Sequence, residues 1–230
     1  MVDLIQKSAY FGMVISLGAF FLGSFLKKKF KWGLLNPLLL SIVFTVTFLL
    51  VCKIDYNHYY EGAKYLNYLL TPATVCLAIP LFEQFEVLKK SKKAVFIGII
   101  SGVVTSMLSV LAMAVLFSFS HKEYVTFLPK SITTAIGIGV SEELGGYVPI
   151  TVAVIIITGV LGNVMAEFVL KLFHIDEPVA KGIAIGTASH AVGTTKAMEL
   201  GDVEGAMSSL SIVVSGMITV VSASLFAKLW

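Results

Sequence analysis

Apolar residues run in long blocks along this chain, separated by short polar or lysine-rich stretches. Five blocks, 9–26, 34–52, 94–118, 147–166 and 206–227, carry no charged residue. Each approaches the roughly 20 residues that an α-helix needs to cross about 30 Å of hydrocarbon. Three more blocks are apolar but interrupted. Pro72 and Pro80 break 65–82; Pro129, Lys130 and two glycines break 124–141; Gly182, Gly186 and Gly193 lie among hydroxyls in 182–200. Inside a bilayer, irregular backbone is tolerated only where protein or a water-filled cavity covers it. The pattern predicts an all-α, polytopic membrane protein with seven or eight transmembrane segments and a polar interior, forming one transmembrane domain over 1–230.

Composition agrees with the pattern. Apolar residues make up 57% of the 230 and charged residues 13%, with a mean hydropathy of +0.91, so charges are too few to cover a soluble surface. Lysines set the orientation. Lys27, Lys28, Lys29 and Lys31 fill one loop and Lys89, Lys90, Lys92 and Lys93 another, which places both in the cytoplasm. The stretch 53–64 reads as an outward loop, and the N-terminus lies outside. No removable signal peptide is read at the N-terminus. Cys52 and Cys76 sit within or beside apolar segments and suggest no disulfide framework. The net charge of +3 is spread in orientation clusters, which is not a nucleic-acid patch.

An internal similarity links Pro72-Ala-Thr74 through Pro80 to Pro129-Lys-Ser131 through Gly137: a proline, a hydroxyl two residues on, then Ala-Ile and a helix breaker. Paired interrupted segments of this sort point to a transporter site near the midplane.

All 17 basic residues are lysine. Any anion must therefore be held without a guanidinium fork, by Lys, His, hydroxyls or backbone N–H. The stretch 129–146 offers Lys130, Ser131, Thr133 and Thr134 just after a proline able to start a half-helix, whose free N–H groups favour an anion. The alternative is a helix whose hydroxyls bond their own carbonyls while Lys130 snorkels. Glu142 and Glu143, before a Gly-Gly turn, either share a proton or a cation or, the reading the polar turn favours, cap the next turn in water. The stretch 181–205 offers Thr187, Ser189, His190, Thr194 and Lys196. His190 is the one histidine in an apolar context, either a packed core residue or a carboxylate or proton partner. Lys196 and Glu199 are spaced to pair on a helix. Asn163 is interhelical glue or a site group. With Pro72 and Thr74 from the first interrupted segment, these residues form the expected substrate site.

Walker A, GxGxxG, HExxH, CxxC and GxSxG patterns do not occur. Nothing suggests an enzyme, and neither cofactor nor metal is expected.

LPKSITTAIGIGVSEELGG (128–146), AKGIAIGTASHAVGTTKAMELGDVEGAMSS (180–209) and TPATVCLAIPL (71–81) resemble the LrgB/CidB family, in the CidB-like branch. This family comprises bacterial holin/antiholin-like membrane proteins and a plastid glycolate/glycerate translocator. The resemblance implies two activities. One is transport of small 2-oxo or 2-hydroxy monocarboxylates, such as pyruvate, glycolate or glycerate, across the cell membrane. The other is control of murein hydrolase activity and autolysis without a specific substrate. It also implies a small holin-like membrane partner, and homo-oligomers are compatible with it.

Overall fold

The computed structural model describes residues 10–30, 37–69, 72, 75, 76 and 78–230. Among these the regular structure is helical throughout, without a strand. The helices are α1 (Phe11–Phe30), α2 (Pro37–Val51), α3 (Tyr56–Tyr68), α4 (Ala78–Glu83), α5 (Phe85–Phe117), α6 (His121–Phe127), α7 (Thr134–Glu143), α8 (Val148–Leu172), α9 (Pro178–Leu200) and α10 (Asp202–Phe226), followed by a 3₁₀ turn at Ala227–Leu229. Four are long and apolar enough to cross a membrane, at Phe11–Phe30, Lys89–Phe117, Val148–Leu172 and Asp202–Leu229; Pro37–Val51 is apolar but shorter. This is an all-α membrane protein. Apolar side chains such as Phe21, Leu50, Leu116 and Val221 face outward, while hydroxyls are buried inside, the reverse of a soluble protein.

The chain divides into two compact units, Met1–Cys76 and Leu77–Trp230. In the first, α1 packs on α2 and α3. Tyr59 Oη donates to Ser16 Oγ at 2.8 Å, and Ser16 in turn donates to Gly12 O at 2.7 Å. Lys27, Lys28 and Lys29 close α1, where the helix dipole favours cations. The stretch expected as a loop at 53–64 is mostly helix α3. Asp55 caps it by accepting from Asn57 N at 2.9 Å, and tyrosines line it instead of the Pro and Ser of a loop. Of the interrupted segment 65–82, residues 70, 71, 73, 74 and 77 lie outside the described residues, and with them much of the internal similarity.

In the second unit, α9 and α10 form a tight hairpin and α9 also packs on α5 and α8. The α10 face toward α9 carries Ser208, Ser211 and Ser215, all buried and three to four residues apart. Small side chains let two backbones approach without a hydrophobic driving force. The expected block 94–118 extends back to Phe85, because its lysine-rich beginning remains helical.

Two interruptions predicted from the sequence occur in this unit. Between α6 and α7 the chain turns through residues 128–133, as a helix ending before a proline should. In α9, His190 takes φ 42° and ψ −144° and breaks the helix at its centre. A non-glycine residue in such a conformation costs on the order of 1–3 kcal/mol and persists only where its surroundings enforce it.

A hydroxyl-lined cleft as candidate functional site

The wall of the site begins on α5. Gly98, Ser101, Gly102, Thr105, Ser106 and Ser109 recur at three- and four-residue spacing and so share one face. This face meets Ile183, Ala184, Thr187 and Ala188 on α9, and Thr158 and Gly162 of α8 complete the wall. Lys130 and Ser131, from the turn after α6, close one end. The resulting cleft holds about 480 Å³.

Two glycines fix how closely its walls approach. A Cβ on Gly102 would meet the methyl of Thr187 at 2.5 Å, and a Cβ on Gly162 would run into the side chain of Ser189. Any larger residue would push α9 away from α5 or α8.

Lys130 is the one cation in the lining. Its Nζ donates to Ser106 Oγ and to Ser131 Oγ, each at 3.2 Å, and the two hydroxyls are 3.0 Å apart. Among the described residues no carboxylate reaches it; ion pairs elsewhere include Lys64 with Glu61, Lys89 with Glu86, Lys171 with Glu167, and Lys196 with both Glu167 and Glu199. The turn itself is anchored by a buried knot of hydroxyls. Ser141 and Thr151 hydrogen-bond at 2.7 Å, Thr151 Oγ1 lies 3.0 Å from Thr126 O, and Tyr147 N donates to Thr126 Oγ1 at 2.8 Å. A lysine fixed among hydroxyls without a counter-ion is suited to hold one anionic group.

Of the residues expected from the sequence, Lys130, Ser131, Thr187 and Ser189 come together in this lining. Thr133 and Thr134 do not: they start α7, Thr133 as its N-cap. His190 and Thr194 are buried and do not line the cleft; they hold the break in α9 beside it. His190 Nε2 donates to Ile155 O on α8 at 3.0 Å; Thr194 Oγ1 donates to His190 O at 3.0 Å and accepts from Ser208 on α10 at 2.7 Å. Asn163 serves the same break, donating to Val192 O at 2.7 Å and to Thr195 Oγ1 at 2.8 Å. Backbone groups freed by the break thus find partners, as buried polar groups must. Lys196 is held by Glu167 at 2.5 Å and Glu199 at 3.0 Å, the second being the pair its spacing predicted. Glu142 and Glu143 are exposed at the end of α7. Pro72 is exposed in the first unit, and Thr74 lies outside the described residues.

Sequence reasoning overlooked the α5 hydroxyls and Thr158. They sit inside blocks apolar enough to read as plain spans, and only the three- and four-residue recurrence of small and hydroxyl residues on α5 marks them.

Outward apolar helices around a cleft lined by hydroxyls define a multi-pass integral membrane protein. The chain belongs to the LrgB-like family, which it matches over residues 16–229. It is 35% identical, over 207 residues covering 90% of either chain, to the holin-like protein CidB of two Staphylococcus epidermidis strains. No solved structure matches the chain significantly.

Proposed function

We propose that the protein carries small 2-oxo or 2-hydroxy monocarboxylates, such as pyruvate, glycolate or glycerate, across the cell membrane, binding them in the cleft between α5, α8 and α9. One observation carries this reading: Lys130 lines the cleft with hydroxyl partners only and no carboxylate among the described residues. A positive charge within a membrane protein is costly, and a bound anion compensates it. A single lysine matches a single carboxylate. About 480 Å³ lies within the range of small-ligand sites and leaves room for water around an acid of two or three carbons.

In this reading the whole of 1–230 acts as one transmembrane domain with seven or eight crossings, supported by a family match that spans both units. The lysine clusters at 27–31 and 89–93 face the cytoplasm and the N-terminus faces out. The two breaks beside the cleft, at 128–133 and at His190, suit a transporter built on discontinuous helices.

A second reading is favoured by the name of the relatives, holin-like protein CidB. Here the chain, with a small holin-like membrane partner, controls murein hydrolase activity and autolysis and needs no substrate. Reconstitution into liposomes separates the two. Saturable uptake of labelled pyruvate or glycolate, competed by unlabelled analogues, is expected for a carrier. Leakage of unrelated dyes at the same rate would establish a pore, and neither signal would leave a regulator acting through its partner.

A further inference from the structure

Among the described residues, one buried side-chain polar atom has no hydrogen-bond partner: Oγ1 of Thr187. The residue is only 5% exposed. Nearby hydroxyls on helices solve the same problem by donating back one turn, as Ser209 does to Gly205 O and Ser211 to Met207 O. Thr187 makes no such bond. Its methyl is packed against Gly102, a residue with no side chain to offer a partner from α5. A buried hydroxyl left unpaired is costly, so a partner from outside the chain is to be expected.

The surroundings say what that partner is. Thr187 lines the open cleft and also a small recess of about 10 Å³ shared with Ser106 and Ser131. That recess is at the lower limit for one water, and Thr187 shares it with the hydroxyls that bind Lys130. A cation is disfavoured there, because the Lys130 ammonium already occupies those hydroxyls and like charges repel. The missing group is an oxygen close to whatever anion neutralises Lys130.

We infer that Thr187 is a specificity-determining residue: with a carboxylate held by Lys130, Ser106 and Ser131, its hydroxyl bonds an oxygen on the adjacent carbon, so the cleft selects 2-hydroxy and 2-oxo acids over unsubstituted ones. This rests on the reading of the cleft as a monocarboxylate site and names the residue that gives it selectivity.

Glycolate and acetate differ only in that oxygen, so their affinities for the purified full chain in detergent, measured by calorimetry, are the test. Wild-type protein should bind glycolate about tenfold or more tightly than acetate, the usual effect of one hydrogen bond to a charged or polar ligand group. Thr187→Val, of nearly the same shape, should bring the two affinities together by weakening glycolate alone. Thr187→Ser, which keeps the hydroxyl, should retain the preference and shows that substitution at this position is tolerated. Equal affinities in the wild type, a preference unchanged in Thr187→Val, equal weakening of both acids, or no binding of either would each overturn the inference. Selective binding that depends on Thr187 without saturable uptake in liposomes would uphold it while removing the transport reading.

Discussion

Lys130 Nζ and Ser106 Oγ are 3.2 Å apart, although one belongs to the turn after α6 and the other to the middle of α5. The contact ties a cation to the wall of the cleft and sets where an anion would sit. Replacing Lys130 by Met keeps the length of the side chain and removes the charge. Uptake or binding of glycolate should weaken by roughly 10- to 150-fold, corresponding to about 1.5–3 kcal/mol for a hydrogen bond to a charged group. Membrane insertion should be unaffected, and unchanged affinity would remove the lysine from the site.

Gly162 and Ser189 make a second test, this time of packing. Alanine at Gly162 places a Cβ where the Ser189 side chain lies. Overpacking of this kind costs about 1–3 kcal/mol, so the midpoint of thermal unfolding in detergent should fall. Adding Ser189→Gly vacates the space, and the double variant should recover much of the loss. Additive losses would mean that the two positions are independent.

At His190 the expected effect is on stability and not on ligand affinity. His190→Ala removes the hydrogen bond to Ile155 O, worth about 0.5–1.5 kcal/mol, and keeps a side chain on the strained backbone. His190→Gly loses the same bond but accepts φ 42° without strain. The glycine variant should therefore unfold at a higher temperature than the alanine variant, with glycolate affinity near that of the wild type in both. A large loss of affinity with unchanged stability would return His190 to the ligand site.

Acid should loosen the start of α6, outside the four long spans. Glu123 accepts from the Ser120 N–H and hydroxyl, both at 2.7 Å, while its own N–H donates to Ser120 Oγ at 3.3 Å. These bonds, the hydroxyl's first, hold its carboxyl below the usual carboxylate range. Its folded-state pKa is depressed, so the stabilisation is full above the ordinary carboxylate value and is lost as pH falls through the depressed one. Amide exchange at the start of α6 should accelerate on acidification, and Glu123→Gln should flatten that dependence.

What the chain discloses before folding depends on the length scale of the force involved. Hydrocarbon thickness acts over some 20 residues, and the blocks 9–26, 94–118, 147–166 and 206–227 accordingly became α1, α5, α8 and α10. Pro129 announces its turn because a missing N–H is a local fact. The break in α9 was anticipated from its glycines, yet the residue that leaves the helix is His190. Partners more than 25 residues away, Ile155 and Asn163, stabilise it there, and no local signal reports them. The cleft was visible as a set of hydroxyls around 131 and 189, but its α5 wall was hidden. A serine inside an apolar span looks the same whether it bonds its own carbonyl or faces a cavity.

The break in α9 also bears on how the protein is made. Its two pieces, Pro178–Ser189 and Ala191–Leu200, are roughly 18 and 15 Å long, and neither reaches across a bilayer about 30 Å thick. α9 is also not among the four helices long and apolar enough to cross a membrane. Its buried backbone is satisfied by Asn163 on α8 and, through Thr194, by Ser208 on α10. α9 is therefore expected to enter the membrane only once α10 has been synthesised, the two packing against α8 as a pair. A nascent chain stopped at Gly201 should leave α9 accessible to protease.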